Sequence, residues 1–197
     1  MMKTRFKLAF ISLALMAFVA CDSTSIKETT YSDGALKTQT PYNDEGRIHG
    51  ERKEYNRDGQ LIQTETFNNG KKEGLSRVYY SNGQIKEEVM FKNGKENGAY
   101  KTYNDRGDLI LQMNYKDGKK FGPFKQYNAE TLQLIEEGSF GEKEQLDGIY
   151  KQYNKEGLPL SEQSYKDGKK DGKFVYYKGA GEIDREEMWS NGIKQKD

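Results

Sequence analysis

The chain has very few of the residues on which metal sites and enzymes usually depend. Its 197 residues include one cysteine, one histidine, one tryptophan and three prolines. The cysteine and histidine counts exclude the familiar zinc-site spacings. His49 stands between Gly46 and Gly50 in a predicted hairpin turn, so we interpret it as a surface residue and not as a catalytic base. We predict no metal site, no cofactor and no enzymatic activity.

Apolar runs long enough to span a bilayer are also absent. The longest run, Leu8 to Val19, has twelve residues and follows three basic ones, Lys3, Arg5 and Lys7. A basic start and a short apolar run are typical of a signal peptide. The run ends in Phe-Val-Ala-Cys, which resembles the lipobox of bacterial lipoproteins and predicts lipidation of Cys21. The alternatives are an ordinary secretory signal cut elsewhere, or a protein that is not exported.

These features predict three segments. Residues 1–20 are a lipoprotein signal peptide, residues 21–30 a polar tether without aromatics, and residues 31–197 one repeat domain. A lipidated Cys21 would place the protein in the bacterial cell envelope, anchored to the inner or the outer membrane. It would also account for a lone cysteine, which is unusual as a free thiol in an exported protein.

An excess of charge of one sign is missing as well. The whole chain has 32 Lys+Arg and 31 Asp+Glu, and without residues 1–20 it has 29 and 31. A nucleic-acid-binding protein usually has a strongly basic face, so we expect no nucleic acid as a partner.

Tyrosine and glycine are abundant, and they recur at a fixed period. One column of tyrosines has spacings of 24 residues with a single interval of 26: Tyr31, Tyr55, Tyr79, Tyr103, Tyr127, Tyr153 and Tyr177. A glycine, an apolar residue, a second aromatic residue and two more glycines follow each tyrosine in most units. A fixed period of this size indicates small units that must stack on their neighbours to bury apolar surface.

Turn residues divide each unit into two short segments. The dipeptides are Asn69-Gly70, Asn93-Gly94, Asp117-Gly118, Asp167-Gly168 and Asn191-Gly192. Asn-Gly and Asp-Gly are strong hairpin signals, and the frequent glycines disfavour helix. We predict an all-β fold: an elongated, single-layer antiparallel meander of β-hairpins with about 13 strands. Because Gly-Lys-Lys-x-Gly follows several turns, we expect loops longer than two residues. The lysines of these segments do not indicate a phosphate-binding loop, because the spacing of the P-loop motif is absent and no helix is predicted to follow.

The fifth unit is irregular. It is two residues longer than the others, with Leu132 one place beyond the expected glycine and a second insertion near Gly141. A local bulge is expected there, since β-repeats tolerate insertions at turns. We interpret the aromatic columns of all units as packing ladders, with a ring-stacking site for sugars or bases as the alternative.

Charged residues form columns of their own. A possible basic binding stripe comprises Lys53, Arg77, Lys101, Lys125 and Lys151, and a partly acidic column comprises Glu88, Glu137, Glu162 and Glu186. The two columns predict ordinary cross-strand pairing, and the alternative is a cationic stripe for an anionic polymer or an acidic partner. Adjacent glutamates such as Glu87-Glu88 should point to opposite faces, which argues against a glycosidase pair.

The unit Tyr-x-x-x-Gly-x-Leu-x-x-Glu-x-x-Phe/Tyr-x-Asn/Asp-Gly-Lys-x-x-Gly resembles the MORN repeat variant found in many bacterial proteins, often labelled YwqK-type antitoxins. The resemblance covers residues 31–197 and implies a hairpin-stacked sheet with a binding or scaffolding role and no catalytic residues. Two hypotheses follow. The first is a membrane-anchored lipoprotein that acts as a protein-binding or scaffold module. The second is an antitoxin or immunity-like protein.

Overall fold

The computed structural model describes residues 24–196, so the predicted signal peptide and Cys21 lie outside the described residues. It contains one open antiparallel sheet of 16 strands in which chain neighbours are sheet neighbours, except that β8 pairs with both β9 and β10. The strands are β1 (Ser25–Thr30), β2 (Leu36–Tyr42), β3 (Gly50–Tyr55), β4 (Leu61–Asn68), β5 (Lys71–Tyr79), β6 (Ile85–Lys92), β7 (Lys95–Tyr103), β8 (Leu109–Lys116), β9 (Lys119–Lys120), β10 (Gly122–Tyr127), β11 (Leu134–Phe140), β12 (Gly148–Tyr153), β13 (Pro159–Lys166), β14 (Lys169–Lys178), β15 (Glu182–Ser190) and β16 (Ile193–Lys194). A 3-10 turn at Gly179–Gly181 is the one helical element in this part of the chain. The predicted all-β meander is confirmed.

The sheet has three strands more than the predicted thirteen. The first of these additional strands, β1, corrects the prediction that residues 21–30 are a tether. Ser25–Thr30 forms β1, which pairs with β2 from Ser25 opposite Tyr42 to Thr30 opposite Leu36. All six residues are exposed, so no apolar alternation marks them as a strand in the sequence. They are ordered by the backbone groups of β2, which would otherwise form a free edge. The other two additions are the short strands β9 and β16.

One edge of the sheet is formed by the two-residue turns. Asn69 and Gly70 have φ values of 50° and 84°, as a type I′ turn requires. Asn68 pairs directly with Lys71, so the expectation of a longer loop is wrong. Each turn also contacts the one before it: the Gly94 N–H donates to the Lys72 carbonyl at 2.8 Å, and the Gly118 N–H donates to the Glu96 carbonyl at 2.8 Å.

The residues that suggested a longer loop form a bulge inside the strand. Phe67 pairs with Lys72 and Glu65 pairs with Ser76, so three residues of β5 lie opposite Thr66. Gly74, in this bulge, has a φ of 103°, a conformation that L-residues with side chains rarely adopt. The last glycine of the repeat therefore marks a bulge that lengthens β5 without lengthening the turn.

The opposite edge is formed by longer turns, several of which begin with asparagine. In the turn after β3, the Gly59 N–H donates to the Asn56 carbonyl at 3.1 Å. The Asn56 side-chain oxygen accepts from the backbone N–H groups of Asp58 at 3.0 Å and Gln60 at 2.9 Å. In the irregular unit Leu132 takes the place of the turn glycine, with a φ of 59°. The insertion is thus absorbed in a turn, as the sequence predicts.

Successive side chains alternate between two faces, and one of them, the aromatic face, carries most of the ring contacts. Ring centroids lie 4.7 Å apart for Phe124 and Phe140, and 5.5 Å apart for Tyr165 and Phe174. Phe174 has no exposed surface at all. In the described residues the buried apolar set is small: Val89, Phe124, Phe174 and Val175. A single layer can cover few side chains completely, so stability depends strongly on strand pairing.

Gly98→Ala should be costly, because Gly98 lies in a bulge of β7 that is equivalent to the bulge at Gly74 in β5. Gly98 has a φ of +110°, and an added Cβ would lie 3.2 Å from the Met90 Cβ. We expect the free energy of unfolding to fall by about 1–3 kcal/mol, measured by urea denaturation. Gly179→Ala is the matched control, because an added Cβ there meets no atom within 4 Å. Equal losses in the two variants would contradict the assignment of strain to the bulge.

Candidate functional site

The predicted basic and acidic columns lie on the face opposite the aromatic face, which we call the ladder face. Residues directly opposite each other on paired strands share a face. Glu88 lies opposite Arg77 on one side and Lys101 on the other. Lys151 likewise lies opposite both Glu137 and Glu162. The strand register thus brings the two columns together as rows of alternating charge.

Most of the predicted basic stripe is paired with carboxylates. The closest atoms are Arg77 Nε and Glu88 Oε1 at 2.9 Å, Lys125 Nζ and Glu137 Oε2 at 3.2 Å, Lys151 Nζ and Glu162 Oε1 at 3.2 Å, and Lys53 Nζ and Glu51 Oε1 at 3.7 Å. The first three distances agree with the cross-strand interpretation, whereas Lys53 and Glu51 both belong to β3. The stripe is therefore not a continuous free cationic surface, and a binding role for it stays a prediction.

Tyrosines of the 24-residue column complete these rows. The Tyr103 hydroxyl donates to Glu88 Oε2 at 2.9 Å, and the Tyr153 hydroxyl donates to Glu137 Oε1 at 2.9 Å. Burial and these bonds to carboxylates raise the pKa of Tyr103 and of Tyr153 to about 12. Burial disfavours ionised Glu88, but hydrogen bonds from Arg77 and Tyr103 outweigh it and lower its pKa. Glu88 is thus a well-satisfied structural carboxylate.

Lys101 differs from the other basic residues of the column. Both carboxylate oxygens of Glu88 are taken by Arg77 and Tyr103, and Lys101 makes no ion pair within 4.0 Å among residues 24–196. Its other cross-strand neighbour is Gln112, which also lies opposite Lys125. Sequence reasoning did not single out Gln112. The sequence did contain a signal for it: the acidic column has Glu88 and Glu137 in the two neighbouring units, and Gln112 takes the corresponding position between them.

A groove of about 300 Å³ opens beside Gln112. Its lining includes Lys101, Gln112 and Lys125, together with Ala99, Asn114 and Pro123. The pairing of β8 with β10 is short beside this groove, and consists of Lys125 opposite Gln112 and Gln126 opposite Leu111. At the equivalent junction of β6 and β7 the pairing extends one step further, to Val89 opposite Tyr100.

A second charged cluster lies on the aromatic face and was also missed in the sequence. Glu65 is 6% exposed, and its carboxylate contacts Lys72 Nζ at 2.6 Å and Arg52 Nη1 at 2.8 Å. Burial opposes ionisation of Glu65, but hydrogen bonds from Lys72 and Arg52 outweigh it and hold its pKa below the usual 4.5. Both cations are themselves part of the fold, so this cluster is structural.

The remaining chemical candidates lie on separate elements: the adjacent glutamates Glu87 and Glu88 are in β6, and His49 lies between β2 and β3. Glu87 accepts from Tyr100 and the adjacent Glu88 from Tyr103, and these tyrosines lie on opposite faces, as predicted for neighbouring glutamates. His49 lies in the turn between β2 and β3, as predicted, and is half-buried there. Its Nδ1 has no hydrogen-bond partner among the described residues. In residues 24–196 there is no group of three His, Cys, Asp or Glu suited to a metal.

The repeating geometry agrees with a comparison of the sequence with known families. The MORN repeat variant matches residues 48–69, 72–93 and 96–117. The three matches are consecutive and cover three units of the 24-residue repeat. Each matched MORN repeat ends at the first residue of a two-residue turn, so one repeat comprises one hairpin. No curated protein matches the chain. In the described part of the protein, no helix is long and apolar enough to cross a membrane.

Glu65→Gln should destabilise the protein near neutral pH. Because the pKa of Glu65 is lower when folded, its contribution is complete above about pH 4.5 and is lost as the pH falls through the folded-state pKa. We expect a loss of about 1–3 kcal/mol in the free energy of unfolding at pH 7 that becomes smaller towards pH 3. Urea denaturation at several pH values measures both effects.

Glu130→Gln provides the control for this experiment. Glu130 is exposed in a turn, and its side chain makes no ion pair with another described residue. The control should change the free energy of unfolding by less than about 0.5 kcal/mol at either pH. A Glu65→Gln loss that is the same at pH 7 and pH 3 would contradict a role for the ionised carboxylate.

Proposed function

We propose that this protein is a non-catalytic repeat lipoprotein, anchored to a bacterial membrane through Cys21, whose sheet binds a partner protein. The observation that carries the proposal is the open single-layer sheet, which leaves two broad faces with regularly spaced side chains. MORN repeats are generally associated with membrane or protein binding. The 24-residue repeat places equivalent side chains at regular intervals along the sheet. Such an extended, regular surface suits a binding or scaffold module.

The composition of the ladder face supports a protein partner. Large apolar side chains project beside the ionic rows: Ile149 is 55% exposed and Met188 is 52% exposed. Burial of such side chains against a partner would contribute apolar area to a contact that is otherwise polar. The paired charges around them would give such a contact its orientation and its selectivity.

The position of β1 fits an anchor at Cys21. β1 begins at Ser25, only four residues after this cysteine. A lipid on Cys21 would therefore hold the first edge of the sheet close to the membrane, and later strands would step away from it. Strands spaced by about 4.8 Å would carry the last repeat to about 70 Å from the first. The faces would remain accessible to a partner in the envelope.

Cys21→Ala should leave an unprocessed precursor that is not lipidated. The reason is that lipoprotein processing requires the thiol of the residue that follows the cleavage site. Metabolic labelling with a radioactive fatty acid and gel mobility in globomycin-treated and untreated cells measure lipidation and processing. Ser23→Ala is the matched control and should be processed normally. Normal maturation of Cys21→Ala would overturn the anchor.

Crosslinking in intact cells, followed by purification of the natively anchored protein, tests the binding function. We expect at least one specific protein partner that is lost when the repeat domain is replaced by an unrelated domain on the same anchor. A partner that is toxic when produced alone would favour the antitoxin hypothesis over a scaffold. Recovery of the same proteins with the unrelated domain would contradict protein binding by the sheet.

A further inference from the structure

The ladder face has a gap in its pattern of charge at Gln112. Along the neighbouring strands a glutamate lies between two basic residues: Glu88 lies between Arg77 and Lys101, and Glu137 lies between Lys125 and Lys151. At the step between these two, Gln112 lies between Lys101 and Lys125. A neutral amide therefore occupies the position at which the surrounding steps supply a carboxylate.

The gap leaves positive charge without full compensation. Lys101 lies opposite Glu88 but forms no ion pair within 4.0 Å among the described residues, and Lys125 pairs with Glu137 on the side away from Gln112. Cross-strand neighbours have Cβ atoms about 5 Å apart, so both ammonium groups can reach a group placed over Gln112. An amide cannot neutralise them, whereas it can donate a hydrogen bond to an incoming anion.

The backbone provides space for such an anion. The groove of about 300 Å³ lies over this gap. Its polar lining includes Lys101, Gln112 and Lys125, and its other lining residues include Ala99, Met113, Pro123 and Phe124. The Asn114 side-chain amide donates to the Pro123 carbonyl at 3.2 Å across the groove. The neutral Gln112, the two flanking ammonium groups and the groove thus lie together where β7, β8 and β10 meet.

The residues at the corresponding positions of neighbouring units indicate which anion fits beside Gln112. Glu137 receives Lys125 at 3.2 Å and the Tyr153 hydroxyl at 2.9 Å, so the spacing of this face suits a carboxylate on a side chain. We propose that the Gln112 groove binds a Glu or Asp side chain from an extended acidic segment of a partner protein. This proposal rests on the proposed protein-binding function and names the chemistry of the partner.

The test uses the full chain and a fluorescein-labelled hexaglutamate peptide as probe, with fluorescence anisotropy at low salt as the measurement. Gln112→Glu should weaken peptide binding about tenfold, because it places a carboxylate in the gap and repels the probe. Lys101→Gln should weaken binding by a similar factor. Gln195→Glu adds the same charge in the last residues of the described chain and should leave binding unchanged.

Stability separates loss of the site from loss of the fold. Gln112→Glu should raise Tm by about 1–4 °C, because the new carboxylate can pair with Lys101 and Lys125. Weaker binding by a more stable variant therefore cannot result from unfolding. Equal affinity of hexaglutamate for the wild type and Gln112→Glu, or a lower Tm of this variant, would overturn the proposal.

Two further probes distinguish other anions. A hexaglutamine peptide should not bind, and vesicles containing phosphatidylglycerol should bind the wild type and Gln112→Glu equally. Vesicle binding that is weakened by Gln112→Glu while hexaglutamate binding is unaffected would replace the acidic peptide by a lipid headgroup. A cellular partner that crosslinks equally to the wild type and Gln112→Glu would refute this groove as its site and leave the protein-binding function standing.

Discussion

The pairing of each strand with its chain neighbour is the interaction on which the rest of the structure depends. A single-layer sheet has no second layer to bury its side chains, and only Val89, Phe124, Phe174 and Val175 are buried apolar residues in the described chain. Backbone hydrogen bonds therefore have to be satisfied strand by strand. The chain must therefore reverse its direction after each strand. At one edge of the sheet residues such as Asn69 and Gly70 allow a two-residue turn, because they adopt positive φ.

Both faces of such a sheet remain wet, and this shapes their chemistry. The aromatic face covers part of its apolar surface by ring contacts such as that between Phe174 and Trp189, whose centroids are 5.8 Å apart. The ladder face uses charge, with carboxylates held between basic residues and tyrosine hydroxyls. Exposed ion pairs contribute little individually, about 0.2–1 kcal/mol, but like charges on neighbouring strands would cost similar amounts. Alternating rows therefore favour the observed register. A neutral residue between two basic ones, such as Thr64 or Gln112, interrupts this alternation.

Several features could be predicted because they depend on neighbours in sequence. The turn at Asn69-Gly70 and the glycine position taken by Leu132 in the irregular unit are local signals. β1 was missed because its residues are polar and exposed, and only the open edge of β2 makes them a strand. The loop length was wrong because the extra residues enter a bulge at Gly74, which depends on pairing with β4. The buried cluster around Glu65 was not predicted, because Arg52 and Lys72 come from the strands on either side of it.

The sequence by itself determined the fold class, the 24-residue unit and the columns of tyrosine, glycine and charge, because each hairpin is specified by residues within one unit. The tertiary structure alone decided which columns share a face, which lysines have carboxylate partners and where the sheet opens. These properties depend on strand register and on bulges, and a shift of one residue would exchange the two faces. The lack of a close ion pair at Lys101 and the groove beside Gln112 emerge only at that level.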